Sequence, residues 1–521
     1  MRVFNLVRWP WRFWVLAVFA FAFAGLFSIS ALLNARTDSE TRTPSGPSQE
    51  DIARPNQEPS PDPATAAAVA LAQYSLDALL ARQSQTLAQA MARYSLKARR
   101  PPPPHFDRWF KFARENKCLI DDYDQIQRDF EPFYQLALDQ PAYFRNMVDK
   151  GRSMLLQETN GLSAKKQAAI GLTVIGIKDG QLQLPRYRGT WFYNELPRTL
   201  RRFAYFLPDL ELFLNGRDEP RVVFNFREPG ALNAVSKLKD PNPFHISPRP
   251  TDIFFKSQSG CNLSSNADGF VSDESADIPF LLSSSSSDFT TDLWPLLSMT
   301  KLSPCFSDIL FPGDYYYRVS RWSLKLRAND IAWSDKKPQL YWRGTSNGGH
   351  IIGDNYRFFP RFRLIDIARN HSDLIDAKMT RFAEGHCTAE CDRKGIIKKY
   401  NITGPRSPKE DVYHYKYLLD VDGNTFSGRF LSLLRSGSLV FKEYFNDWIR
   451  PYEHYIPVKP DLSNLVEKID WALAHEEEAH RIQETGKLFA EHVMTDAQND
   501  CYFAAVLLEW ARLQSYARSG P

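Results

Sequence analysis

The 521 residues are 43% hydrophobic, 13% aromatic and 24% charged, with a formal net charge of +4. A chain of this length exceeds what one hydrophobic core usually serves, so two or more folded units are expected. The charge is too weak and too evenly spread to support a nucleic-acid partner. The aromatic share fits a globular core and a sugar-stacking surface equally.

Residues 13–33 carry no charged side chain, and a bilayer crossing needs about 20 apolar residues. Arg2, Arg8 and Arg12 precede the run, whereas Arg36 is soon followed by Asp38 and Glu40. This asymmetry assigns residues 1–12 to the cytoplasm and everything after 33 to the far side of the membrane. Trp9, Trp11 and Trp14 would lie at the interface. The competing reading is a cleaved signal peptide. Against it stand a poor cleavage site at Ser28-Ile29-Ser30 and an apolar core longer than the usual roughly 7–15 residues. Either way the bulk belongs in a secretory compartment. Acceptor sequons begin at Asn262, Asn370 and Asn401, and all six cysteines (Cys118, Cys261, Cys305, Cys387, Cys391 and Cys501) follow the run, where disulfides persist. Several pairings are open, and the spacing does not choose among them.

Residues 34–104 read as a stem. Residues 37–63 are rich in Pro, Ser, Thr, Asp and Glu and cannot bury enough surface to fold. From about 64 to 97 a helix is expected, with Leu76, Leu79, Leu80, Leu87 and Met91 on a loose stripe, and residues 101–104, all proline, end it as a stiff spacer. A head domain over 105–335 follows. Helices are expected at 107–116 and 123–137, strands at 210–214 and 221–226, and a Ser-rich surface insertion at 257–292. From 336 to 521 strands and helices alternate: strands at 339–342, 415–421, 438–441 and 454–458, helices at 427–436, 462–474 and 499–515. Such alternation predicts an α/β fold with a parallel, doubly wound sheet.

Chemistry concentrates in the second half. Residues 414–431 read HYKYLLDVDGNTFSGRFL, a buried strand, a glycine-containing turn and a helix start. Ligands of open α/β sheets bind beyond the carboxyl ends of strands, and free N–H groups at a helix start suit a diphosphate. Arg429 would add a bidentate guanidinium contact; the alternative is an ordinary turn with a solvated arginine. Asp420 and Asp422 have the spacing of an Asp-x-Asp metal site, but alternation along a strand also explains it. Tyr341-Trp342-Arg343-Gly344 runs into a loop with Ser346, Gly348 and Gly349, where glycine permits close approach of a ligand. Asn215-Gly216 between apolar runs is a hairpin signal, which would make Asp218 a turn residue. His386-Cys387 with Cys391 is half a zinc site without a second half.

Taken in order, several segments resemble one family, the capsule-associated glycosyltransferases of family 90, which also contains the Rumi-type protein O-glucosyltransferases. They are residues 100–113 (RPPPPHFDRWFKFA), 207–218 (LPDLELFLNGRD), 306–312 (FSDILFP), 341–344 (YWRG), 415–430, 437–441 (GSLVF) and 454–458 (HYIPV). The resemblance implies a GT-B-type fold, two Rossmann-like domains facing a cleft, with the donor held by residues 336–521 and the final helix crossing back. It implies an inverting transfer of xylose or glucose from a UDP-sugar with no metal and no other cofactor, Asp218 acting as general base. Donor contacts fall on Arg343, Gly344, Ser346, Gly423, Asn424, Thr425, Phe426, Ser427, Gly428 and Arg429, of which only Ser427 and Arg429 match the Rumi-type residues of the donor loop. Pro312, Tyr315 and Tyr316 fall on the acceptor side, where the sequence departs from the protein O-glucosyltransferases. A glycan acceptor is expected, with protein O-glycosylation or a non-catalytic glycan-binding role as alternatives. The whole would be a single-pass type II protein of the Golgi membrane, its head lumenal, with Asn262, Asn370 and Asn401 as glycosylation sites and Cys118–Cys501 as a candidate disulfide.

Overall fold

The computed structural model describes residues 63–161, 172–184, 195–226, 245–246, 288–290, 292–301, 306–317, 331–349, 351, 353–384, 387, 391–402, 407–423, 425–442 and 448–519. All fall within one compact unit, Pro61–Pro521. The expected anchor at 13–33, most of the Ser-rich insertion, Asn262, His386, Asn424, Cys261 and Cys305 lie outside the described residues. Among those described, no helix is long and apolar enough to cross a membrane.

The strands in chain order are β1 (Leu172–Lys178), β2 (Gln181–Gln183), β3 (Leu210–Asn215), β4 (His245–Ile246), β5 (Asp288–Phe289), β6 (Leu297–Ser298), β7 (Ile309–Leu310), β8 (Lys337–Thr345), β9 (Ile375–Arg381), β10 (Tyr415–Asp420), β11 (Leu439–Lys442) and β12 (Ile456–Pro457). The helices are α1 (Pro63–Ala81), α2 (Leu87–Ala98), α3 (Phe106–Glu115), α4 (Asp124–Asp139), α5 (Pro141–Gly161), α6 (Leu196–Arg201), α7 (Pro360–Asn370), α8 (Arg393–Tyr400), α9 (Phe430–Leu434), α10 (Leu465–Ala474), α11 (Glu476–His492) and α12 (Asp496–Ser519).

The first sheet, in the order β2-β1-β3-β6-β7, is mixed: β1 runs antiparallel to β2 and β3, while β3, β6 and β7 are parallel. The second sheet, in the order β12-β11-β10-β8-β9, is parallel throughout. Every residue of β10 and β11 is buried, which fits their apolar stretches Tyr417–Leu419 and Leu439–Phe441: helices cover both faces of such a sheet. Strand order reverses between β8 and β10, because the chain moves outward from β8 to β9 and then returns to the other side of β8. Their carboxyl ends therefore flank the crevice in which ligands of doubly wound sheets sit.

The last helix belongs to the first sheet. Cys501, Phe503, Val506, Leu507, Trp510 and Leu513 are buried in the same core as Phe213, Trp294 and Phe130, and Trp510 Nε1 donates to Glu211 O at 2.6 Å. A disulfide joins Cys118 to Cys501 across 383 positions. Cys387 and Cys391 are also disulfide-bonded, so these sulfurs are not available as zinc ligands.

The stem reading needs correction from residue 63 onward. Instead of standing away as a stalk, α1 and α2 dock on the body. Leu76 is buried with Leu119, Phe489 and Val493, and Ser75 Oγ donates to Glu453 at 3.0 Å. Between the helices, Ser84 N and Oγ reach the Asp121 carboxylate at 2.6 and 2.8 Å, and Thr86 and Gln89 form a capping box that starts α2. Tyr94 bonds Glu509, and Arg512 donates to the Pro101 carbonyl. The expected stripe misled because on α1 Leu76 is buried and Leu79 half-buried against the same core, while Leu80 and Met91 stay exposed; polar anchors, which no periodicity reveals, supply much of the docking.

His454, before β12, is 4% exposed and stacks on Phe489 with ring centroids 4.3 Å apart. Its Nδ1 accepts from Arg450 N at 2.8 Å, so the neutral ring carries its proton on Nε2. Burial, outweighing the nearby Glu453 carboxylate and joined by Arg450, pulls its pKa from 6.5 to about 4. The fold thus favours neutral imidazole. That contribution is complete above pH 6.5, the unfolded-state value, and fades as pH falls toward 4. A shift of this size corresponds to about 3 kcal/mol. Urea midpoints taken from pH 7 to 4 should fall steeply for the native protein and less for His454→Asn, which keeps an acceptor for Arg450 N; parallel curves would refute this.

Candidate active site

The crevice at the reversal is built from the loops following β8 and β10. Arg361, at the start of α7 and 7% exposed, ties them together. Its Nε donates to Asp422 O at 2.9 Å, Nη1 to Thr345 O at 3.0 Å, and Nη2 to Val421 O at 3.3 Å. Sequence reading passed over this arginine, because nothing marks it in the helix sequence PRFRLIDIARN.

Within the β10 loop, Ser427 Oγ donates to Asp420 Oδ1 at 2.5 Å and accepts from Arg429 N at 3.3 Å. Gly423 N donates to Phe426 O at 2.9 Å, closing the turn. Arg429 is the N-cap of α9, and α9 has only five residues where ten were expected. The cation of Arg429, more than the dipole of so short a helix, therefore supplies positive charge here. Its Nη1 donates to Arg343 O at 2.7 Å, and its guanidinium lies 5.9 Å from the Trp342 ring centroid. Its buried Nη2 meets no hydrogen-bond acceptor among the described residues, nor does Trp342 Nε1. Burial lowers the Arg429 pKa, against the pull of Asp420.

Asp420 and Asp422 do share a face, and Lys442 of β11 occupies it. Its ammonium lies 3.0 Å from Asp420 Oδ2 and 2.9 Å from Asp422 Oδ1. Burial raises the pKa of Asp422, with Lys442 opposing. Among the described residues no group of three His, Cys, Asp or Glu side chains is arranged to hold a metal ion.

The other donor-side candidates have defined places. The Arg343 side chain is engaged beside the sheet: Nη2 meets Asp376 Oδ1 at 2.7 Å, Nη1 donates to Asp376 O at 2.8 Å, and the guanidinium stacks 4.4 Å from the Tyr341 ring centroid. Its carbonyl, not its charge, touches Arg429. Gly344 is required by the indole of Trp342, whose Cζ2 would be 2.4 Å from an added Cβ. Ser346 accepts from Ala383 N at 2.8 Å and so joins the β8 and β9 ends.

From the first half of the chain, Asp218 and the tyrosines after β7 reach the same loop. Thr425 Oγ1 donates to Asp218 O at 2.5 Å. Tyr315 places its hydroxyl 3.5 Å from Asp218 Oδ1, and its ring 5.1 Å from that of Phe426, edge-on. Tyr316 donates to Ser427 O at 3.4 Å, and burial pushes its pKa up. An added Cβ on Gly428 would stand 2.7 Å from Tyr315 Cδ1, so glycine is what lets the two halves meet this closely. Asp218 and Arg429 are thus gathered at one loop. Asn215-Gly216 does not make a hairpin. The chain leaves β3, turns through Asp218, and returns only as isolated bridges from Val222 to Thr290 and Val223 to Phe306.

Residues 274–521 match the family described as Glycosyl transferase family 90; Asp218 precedes the matched stretch. Protein O-glucosyltransferase 2 of Danio rerio is 32% identical over 194 residues, covering 35% of this chain and 34% of that protein. Protein O-glucosyltransferase 3 of Homo sapiens is 28% identical over 190 residues, 35% and 34% of the two. Protein O-glucosyltransferase 1 of Homo sapiens is 27% identical over 245 residues, 46% of this chain and 58% of the relative. The chain spans about a third of the length of the first two and somewhat over half of the third. Through residues 274–521 it belongs to glycosyl transferase family 90 and is related to the protein O-glucosyltransferases.

Proposed function

We propose that the protein transfers a sugar, glucose or xylose, from a UDP-sugar to a hydroxyl group, with inversion and without a metal ion. The two sheets would work as the halves of a GT-B-type enzyme, the donor lying at the carboxyl ends of β8 and β10. One observation carries the reading: Arg429 presents at the strand-order reversal a buried Nη2 that meets no acceptor among the described residues. An unmet buried donor costs about 1–3 kcal/mol, and a phosphate oxygen arriving there would satisfy it with a charge-assisted bond.

In the reaction Asp218 takes the proton of the acceptor hydroxyl as its oxygen attacks the anomeric carbon. The bond from that carbon to the diphosphate oxygen breaks in the same displacement, inverting the centre. Charge develops on UDP, and Arg429 receives it. The Lys442 ammonium bridges Asp420 and Asp422 and so stands between the two carboxylates where a metal would bind, which supports a metal-free site. The relatives' names favour a protein hydroxyl as acceptor over the glycan expected from the sequence. The uncharged run at 13–33 would hold the enzyme in the Golgi membrane, with Asn370 and Asn401, both exposed, open to glycosylation.

The test is UDP release by the full chain from a panel of UDP-sugars, with peptide and glycan acceptors, in excess chelator. Selective release of UDP from one or two donors is expected, unchanged by chelator. Absence of release from every donor would refute the transferase reading. A requirement for Mn²⁺ would refute the metal-free part and return Asp420 and Asp422 to consideration as ligands.

A further inference from the structure

The loop bearing Asp218 is held from beneath by side chains that the reaction does not use. Asn215 Nδ2 donates to Glu219 O at 2.7 Å, across the loop, and its Oδ1 accepts from Arg217 N at 3.1 Å. The same Nδ2 also donates to Ser298 Oγ at 3.1 Å. Ser298 Oγ in turn donates to Asp308 Oδ1 at 2.5 Å. Asp308 then takes the far end of the loop: Arg221 N lies 3.0 Å from its Oδ1, and Val222 N 2.8 Å from its Oδ2. Asn215, Ser298 and Asp308 are each 0% exposed.

The direction of this chain is fixed by chemistry. An amide nitrogen can only donate, so the serine oxygen accepts from Asn215 and must turn its single proton toward Asp308. Asp308 therefore receives a hydroxyl proton and two main-chain N–H groups, and it acts here only as an acceptor. Burial pushes its pKa up, and the bonds from Ser298, Val222 and Arg221 oppose this. A buried carboxylate is costly to keep, so the site needs something that a neutral side chain does not supply.

Building on the transferase reading, we propose that Asp308 is a positioning residue for Asp218, acting through Ser298 and Asn215 to set the loop that carries the base. The relay fixes the loop at 217, 219, 221 and 222, on both sides of Asp218, while Thr425 fixes its apex from the other half of the molecule. Asp308→Asn is nearly isosteric but presents an N–H₂ group where only donors arrive, so one end of the loop is released. Displacing a reacting group by about 1 Å costs on the order of 100-fold in rate.

The experiment measures donor KM and kcat, together with UDP affinity, for the full-length native protein, Asp308→Asn and Ser298→Ala. The expected result for Asp308→Asn is a kcat lower by roughly 10- to 100-fold, with donor KM and UDP affinity within twofold of native. Ser298→Ala should show the same split, less deeply. In single turnovers, adding Asp308→Asn to Asp218→Asn should slow the reaction no further, since the two act through one group. Native kcat in both single variants, or an equal loss of kcat and UDP affinity, overturns the proposal and leaves the transferase reading standing. If Asp308→Asn yields no folded protein, Ser298→Ala decides by the same criteria. An inert native protein overturns both.

Discussion

Asp218→Asn is expected to lower kcat by roughly 10²- to 10⁴-fold, the range that general bases contribute, with donor KM nearly unchanged. The Asp218 carbonyl, through which Thr425 holds the loop, survives the substitution, as do the bonds from Asn215 and Asp308. The variant therefore removes proton acceptance and little else. Its thermal midpoint should stay close to native, because the side chain is partly exposed and lies at the lobe boundary, outside the core. Steady-state UDP release at saturating donor is the measurement. Native-level release in this variant would remove Asp218 from its role and send the search for the base to Tyr315, whose hydroxyl lies 3.5 Å from the Asp218 carboxylate.

Arg429→Ala should weaken UDP binding by about 10- to 100-fold, as expected for loss of a charged hydrogen bond of about 1.5–3 kcal/mol. It should lower kcat/KM further, by roughly 10²- to 10³-fold, since charge on the diphosphate grows as the bond breaks. Arg429→Lys should recover little. Lysine offers a point charge, whereas the native side chain uses Nη1 to hold Arg343 O and turns to the ligand an Nη2 that has no acceptor among the described residues. Without nucleotide, Arg429→Ala should keep native stability or gain slightly, because a buried cation short of acceptors is removed. Isothermal titration with UDP and a thermal melt of the free protein check the two halves of this expectation. Unchanged UDP affinity would place the diphosphate elsewhere.

Residues 414–431 and 341–349 could be read as candidate donor segments, because a buried-type strand that ends in a glycine-containing turn is where ligands of open α/β sheets bind. The parallel sheet was legible for the same reason, and so was the shared face of Asp420 and Asp422. What filled that face was not. Lys442 ends a strand twenty positions further on, and sequence spacing says nothing about which strands become neighbours. Asp308 lay within a segment marked by resemblance, FSDILFP, but its partners Asn215 and Ser298 are 93 and 10 positions away, and only the fold joins them. The helix expected at 427–436 shrank to α9: at its end Ser436 N tightens to Leu433 O and Gly437 turns the chain with φ 70°. The docked α1 and α2 were misjudged because charged and amide side chains, which on a sequence look like solvent-facing groups, are what fasten them.

The placement of α12 sets an order of assembly. The first sheet cannot complete its interior until Trp510 and Leu513 have been synthesised, since those side chains complete the core around Phe213 and Trp294. A nascent chain on the ribosome must therefore hold α3, α4 and β3 unfinished while the whole of the second sheet emerges and folds. The half made first is the half completed last, and Cys118 waits as a thiol for its distant partner throughout. Fragments ending before α12 should accordingly fail in the first sheet, although they contain all of its strands.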